Sequence, residues 1–210
     1  MPTAVEQFGA ALTADAGAFG IQPDSDVVAR LCDYYELLLK WNSRLHLVAP
    51  CTPAEFATRH VLESLVLLRH LPQNARVVDV GSGAGLPIIP CLIARPDLHG
   101  TLIESSQKKS VFLREALRLV GANERIRLVA ARFEETVAPE ADFVTSRALD
   151  RFQDLLPSLI DWAPKKSKFL LFAGEALRSQ IETLLPSARA ELLPKSERRF
   201  LIIASRQVSV

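Results

Sequence analysis

The chain has 210 residues, 49% apolar and 23% charged, with a formal net charge of +1, so it suits one good-sized domain, alone or with an extension, and bulk charge does not mark a nucleic-acid binder. Its three cysteines, Cys32, Cys51 and Cys91, are scattered and form no C-x-x-C pair, which argues against a disulfide framework and against a zinc or other metal site. No basic-then-apolar leader opens the chain, and the longest apolar stretch, residues 86–94, is too short for a bilayer and holds two prolines, so a cytoplasmic protein with no membrane partner is expected.

Residues 1–72 read as helical. Val27, Val28, Leu31, Tyr34, Tyr35, Leu38 and Leu39 recur at helical spacing behind a cap at Asp24 or Ser25. Thr52-Pro53-Ala54-Glu55 is a capping box with proline at the first helical position. The helix it opens places Phe56, His60, Val61, Ser64, Leu65 and Leu68 along one side and stops at Leu71-Pro72. After Pro72 strands and helices alternate. Strands are predicted at 76–80, 101–104, 126–130, 142–146 and 169–172, and helices at 86–94, 107–120, 151–162 and 175–184. That alternation predicts right-handed βαβ units and a mainly parallel α/β sheet. The tail differs: 190–193 and 200–205 are separated only by Pro194-Lys195-Ser196-Glu197, which predicts an antiparallel hairpin.

The run Val77-Val78-Asp79-Val80-Gly81-Ser82-Gly83-Ala84-Gly85-Leu86 carries the most information. A buried strand turns sharply into a glycine loop, the place where open α/β sheets take ligands and where a missing Cβ lets a ligand touch backbone. The spacing is G-x-G-x-G, not the G-x-G-x-x-G of dinucleotide folds. Glu104 ends the second strand, where a carboxylate can accept from both hydroxyls of a ribose; it can equally serve the start of the helix from Gln107. Arg132-Phe133-Glu134-Glu135 follows the third strand and suits an adenine ring and its amine, or a solvated turn. Together the three strand ends describe an adenosine-containing ligand lying across the sheet edge.

These residues resemble the class I S-adenosylmethionine-dependent methyltransferases. A closer resemblance runs through Lys40-Trp41-Asn42, Arg59-His60-Val61-Leu62-Glu63-Ser64, the run from Gly81 to Pro87, Arg95-Pro96, Lys108-Lys109 with Phe112-Leu113, and Ser146-Arg147-Ala148. In that order they are similar to the RsmG (glucose-inhibited division protein B) family, which methylates N7 of one guanine in bacterial small-subunit (16S) ribosomal RNA. The resemblance implies a Rossmann-like sheet at 73–210 behind a helical extension at 1–72, with S-adenosylmethionine as cofactor. It implies cofactor contacts from Gly81, Leu86, Phe133, Glu134 and Arg147, a ribose contact from Glu104, and a close approach at Gly83. The chain departs from the family's usual residues at His46-Leu47-Val48, at Glu63 where the family has Asp, and at Ala173 where it has Lys.

Guanine N7 has a free lone pair and no proton, so no general base is needed and no catalytic residue is assigned. The four histidines are scattered, and His60 reads as a satisfied, partly buried side chain. Arg147 suits the methionine carboxylate, an RNA phosphate, or a salt bridge to Asp150 or Asp79. Arg59 and Lys108 are the candidate RNA contacts. Lys108-Lys109 with Arg114 and Arg118, Lys165-Lys166-Lys168, and Arg198-Arg199 could flank a phosphate backbone. Trp41 and Phe172 suit the core, or stacking on a base. A monomer is expected. Two other readings share parts of this pattern: a non-catalytic ribosome-assembly factor that keeps the fold, and a nicotinamide-dependent oxidoreductase.

Overall fold

A computed structural model describes residues 1–147 and 151–206. Seven strands form one sheet in the order β3-β2-β1-β4-β5-β7-β6. They are β1 (Arg76–Val80), β2 (His99–Ile103), β3 (Ile126–Val129), β4 (Phe143–Ser146), β5 (Lys168–Gly174), β6 (Arg189–Leu192) and β7 (Arg199–Ser205). The first five are mutually parallel; β7 runs antiparallel between β5 and β6. The expected α/β class and the antiparallel tail are both present.

Chain order reverses on either side of β1, so the crevice between β1 and β4 is the switch point at which such sheets take ligands. Strand alternation divides the core. Val77 faces the helices Ser25–Leu45, Ile88–Ala94 and Gln107–Leu119, while Val78 and Val80 face Phe152–Trp162 and Glu175–Leu184. The helices ahead of β1 share the first of these cores: Leu31, Tyr34, Leu62 and Leu65 are buried in the same cluster as Val77, Ile89 and Phe112. Phe8, Tyr35 and Phe56 stack within it, Phe8 on Tyr35 at 4.4 Å between centroids.

Thr52 caps the run 53–69 through the expected box, its hydroxyl accepting from Glu55 N while Glu55 answers at Thr52 N. The run is not one α-helix. Ala57–Leu62 is a wider π-helical turn, followed by Glu63–Leu65 as α-helix and Val66–Arg69 as a tighter 3-10 turn. A π turn adds about one residue to a helical turn and shifts the phase of everything after it. Glu63 accordingly lies inside the molecule, 1% exposed.

Trp41 is not free to stack on a base: it packs edge-on against Phe112 and donates Nε1–H to Glu115. The lysine run is also displaced from its expected place. Lys168 opens β5 beside Phe143 at the start of β4, so Lys165, Lys166 and Lys168 stand at the amino ends of the strands, opposite the crevice. Arg118 sits at the far end of its helix, beside Asp33 and Glu36. Of the basic groups expected to flank RNA, Lys109 lines the larger cavity with Lys108 exposed beside it in the chain, and Arg199 is paired with Glu63.

Candidate active site

The glycine loop is strapped to the strand beside it. Gly81 N and Ser82 N both donate to the Ile103 carbonyl, at 2.9 and 3.1 Å. Glu104, which follows β2, closes the strap: Oε2 accepts from Gly83 N at 2.8 Å and Oε1 from Ser106 N at 2.7 Å. A carboxylate offers about four lone-pair sites, so two remain for a ligand. Gly83 adopts φ +52°, which lets its N–H turn toward that carboxylate. Glu104 therefore orders the entry to the helix from Gln107, one of the two roles read from the sequence, and keeps acceptor positions beside the loop. The helix cap itself is Ser106, whose hydroxyl accepts from Lys109 N.

Two cavities meet at Gly81 and Ser105. The larger, about 470 Å³, is bounded by Gly83, Leu86, Glu104, Arg147, His60 and Lys109. The smaller, about 200 Å³, is bounded by Val80, Ile103, Phe133 and Glu134. Phe133 is 3% exposed and edge-on to Trp162, so it forms a wall, and Glu134 stands exposed at the rim. All seven residues named for the cofactor thus border one continuous trough across β1. The two named for RNA do not. Lys108 is exposed beside the cavity, and it is Lys109 that lines it; the Arg59 side chain is exposed while its carbonyl accepts from Arg147.

Of the two acids weighed for Arg147, only Asp79 can be judged. Asp150 lies outside the described residues, and Asp79 is not a partner; the guanidinium donates Nη2–H to Glu63 at 2.8 Å and lies over the Phe172 ring, 4.9 Å from its centroid. Arg199 grips the other oxygen of the same carboxylate at 2.8 Å. Nη1 of Arg147 is buried without a partner among the described residues. Glu63 lies off the apolar side predicted for this helix, and the π turn at Ala57–Leu62 precedes its buried position, so sequence reasoning missed its pairing with the two arginines.

His60 is not the satisfied side chain expected. Its ring lies against Phe56, it borders the larger cavity, and its Nδ1 is buried without a partner among the described residues. Burial, with Arg147, Arg59 and Arg199 nearby, holds its pKa down at about 4. The ring is therefore neutral at physiological pH and a weak base.

Asp79 is fully buried, with both carboxylate oxygens unpartnered among the described residues; the Ser82 hydroxyl donates instead to the Asp79 carbonyl. Burial, reinforced by the Glu104 carboxylate, raises its pKa from 3.8 to about 7. The fold thus favours the protonated acid. Between pH ~4 and ~7 the native state holds more protons than the unfolded chain, so this group's contribution falls as pH rises, and above pH ~7 the penalty is complete. Asp79→Asn should raise stability by on the order of 1–2 kcal/mol at pH 5, where the unfolded carboxyl is already ionised, and by on the order of 4 kcal/mol at pH 8. Urea unfolding at the two pH values tests this; an equal change at both would remove titration as the cause.

A sequence profile described as "GidB: rRNA small subunit methyltransferase G" matches residues 28–209. The chain belongs to that family. Ribosomal RNA small subunit methyltransferase G of Yersinia pseudotuberculosis serotype O:3 (strain YPIII) is 41% identical over 154 residues, 73% of each chain. Its namesake in Nitrosomonas europaea is 40% identical over 151 residues, 70% of each chain. In Sorangium cellulosum the figures are 36% over 171 residues, 78% of this chain and 71% of the relative. Among solved structures the mitomycin 7-O-methyltransferase MmcR superposes with a TM-score of 0.58 at 17% identity, over 82% of this chain and 60% of that one. The B. subtilis m1A22 tRNA methyltransferase TrmK gives 0.54 at 14%, over 68% and 65%; both likenesses concern the fold alone.

As a member of the methyltransferase G family, the chain is an S-adenosylmethionine-dependent methyltransferase of small-subunit ribosomal RNA. The residues present fit that cofactor: two open lone pairs on Glu104 suit a ribose diol, the smaller cavity suits a purine, and the orphaned Nη1 of Arg147 suits a carboxylate. No helix among the described residues is long and apolar enough to cross a membrane.

Proposed function

We propose that the chain methylates N7 of a guanine in small-subunit ribosomal RNA by in-line transfer, without a general base. The meeting of Gly81, Glu104, Phe133 and Glu134 around one trough is the observation that carries this reading. When bound, S-adenosylmethionine supplies a methyl group made electrophilic by the adjacent sulfonium. Gly81 and Gly83 offer bare backbone to it, Glu104 accepts from its ribose, and Phe133 and Glu134 bound the purine end. Lys109 lines the larger cavity, and with the exposed Arg59 and Lys108 it suits a phosphate backbone. The segment ahead of the sheet supplies Leu47 and Val48, from the loop after the helix Ser25–Leu45, and His60, from the π turn, to that cavity wall, and shapes the entrance for the RNA. The base must leave its stack to reach the trough.

With N7 already unprotonated, the protein's task is alignment, which can supply roughly 7–11 kcal/mol. The low pKa of His60 agrees with this, because this histidine at the trough does not titrate between pH 6 and 8. The chain acts in the cytoplasm, as a monomer.

Labelled methyl transfer to ribosomal RNA, naked and within the small subunit, followed by borohydride and aniline cleavage, tests the reading. A single cleavage at a guanine is expected, with a single-turnover rate flat across pH 6–8 at saturating RNA and cofactor. Transfer to another atom, or a steep rise in rate over that range, would overturn it; cofactor binding without transfer to either substrate would favour an assembly factor.

A further inference from the structure

We propose that Glu63 is a positioning residue that aims the free Nη1 of Arg147 at the amino-acid carboxylate of the cofactor, with Arg199 as its second anchor. The proposal rests on the cofactor reading above and adds to it residues that lie outside the trough's own contacts.

The cluster joins three parts of the fold. Glu63 comes from the helical run ahead of the sheet, Arg147 from the end of β4 and Arg199 from the start of β7. Glu63 is 1% exposed and both its oxygens are occupied, Oε2 by Arg147 Nη2 at 2.8 Å and Oε1 by Arg199 Nε and Nη2 at 2.8 and 2.7 Å. The Arg147 Nη2 also donates to the Arg59 carbonyl, and the guanidinium lies over Phe172. Two acceptors at one nitrogen and an aromatic ring beneath the plane leave the guanidinium little freedom. What remains is Nη1, buried and unpartnered among the described residues, on a residue that borders the larger cavity.

Charge says what that nitrogen awaits. Two guanidinium groups share one carboxylate, and His60 beside them is neutral. The cluster keeps one positive charge in a buried place, which is costly unless an anion completes it. Arg147 borders the same cavity as Gly83, Leu86 and Glu104, so the anion that completes the cluster is one carried by a ligand held there. A small carboxylate inside the cavity meets the requirement, and the cofactor carries one carboxylate, at the end away from its purine.

Glu63 acts through geometry and not through its own charge, and the two have opposite signs. Glu63→Gln makes the surroundings of Arg147 more positive, which by charge alone would tighten an anion. Its amide has a single acceptor oxygen and an NH₂ that faces a guanidinium donor, so the aim is lost and anion binding weakens.

Calorimetry separates these effects with two ligands, S-adenosylhomocysteine and 5′-methylthioadenosine, which lacks the amino-acid part. The parent should prefer the first, and Glu63→Gln should reduce that preference by about tenfold or more while methylthioadenosine affinity stays unchanged. Arg199→Met, altered at a more exposed position, should act in the same direction, and Glu63→Asp, which keeps two acceptors, should recover part of the loss. Methylthioadenosine binding also reports that each variant is folded. A preference retained in both Glu63→Gln and Arg199→Met, or an equal fall for both ligands, would overturn the positioning role. Failure of the parent to bind either ligand would overturn the cofactor reading itself and the positioning role with it.

Discussion

Glu104→Ala should weaken S-adenosylhomocysteine by at least about a hundredfold, since two hydrogen bonds to a charged acceptor contribute about 1.5–3 kcal/mol each. The loss has a second component in the unliganded protein. Gly83 N and Ser106 N both donate to this carboxylate, and stripping the acceptor from these half-buried donors costs up to about 1–3 kcal/mol apiece. Calorimetry and a thermal melt on the same variant read the two effects. Glu104→Gln separates them: its one remaining oxygen can serve only part of the set, so affinity and stability should both fall between parent and alanine variant. If Glu104→Ala kept the parent's affinity while losing stability, the carboxylate would be a structural strap alone.

Gly85→Ala should unfold the protein at a markedly lower temperature without touching a ligand contact. Gly85 sits at φ +80°, and a Cβ there would lie 2.3 Å from Ile89 Cγ1 and 3.4 Å from Leu113 Cδ2. Both neighbours are fully buried and have nowhere to go. The left-handed backbone costs about 1–2 kcal/mol for a non-glycine residue and overpacking about 1–3 kcal/mol. A fall in Tm on the order of 10 °C follows for a chain of this size. Measured against Ile89→Ala alone, the double variant with Gly85→Ala should lose only the backbone share. A melt unchanged by Gly85→Ala would mean that the loop and the helix Ile88–Ala94 are free to separate. The third glycine of the loop is thus there for packing, whereas Gly81 and Gly83 face the trough.

The parts legible in the sequence are those set by local pattern. Alternating strands and helices, the glycine loop and the short link before the last strand were enough for the parallel sheet, its antiparallel edge and the place of the trough. β2 begins earlier than expected, at His99, because His-Gly is a poor strand signal. Gly100 nevertheless pairs with Val77, where a side chain would meet the Val77 carbonyl at 1.8 Å. The Lys165–Lys168 run looked like a nucleic-acid contact because a charge run carries no information about which end of a strand it will occupy. The Glu63–Arg147–Arg199 cluster was hidden for two reasons: its members are far apart in the chain, and a π turn breaks the 3.6-residue periodicity just before Glu63. The low pKa of His60 comes first from burial and then from Arg147, Arg59 and Arg199, of which only Arg59 is its neighbour in the chain.

The Tyr34 hydroxyl, buried ahead of the sheet, donates to the Ala84 carbonyl at 2.6 Å in the middle of the glycine loop. Leader and catalytic half are therefore not interchangeable parts. A leader transplanted from a relative without a hydroxyl at this place would leave a loop carbonyl unmatched, at a cost of about 1–3 kcal/mol, and would deform the seat of the methyl donor from behind. Exchanging the helices ahead of the sheet therefore calls for exchanging the tyrosine's helix and the loop together.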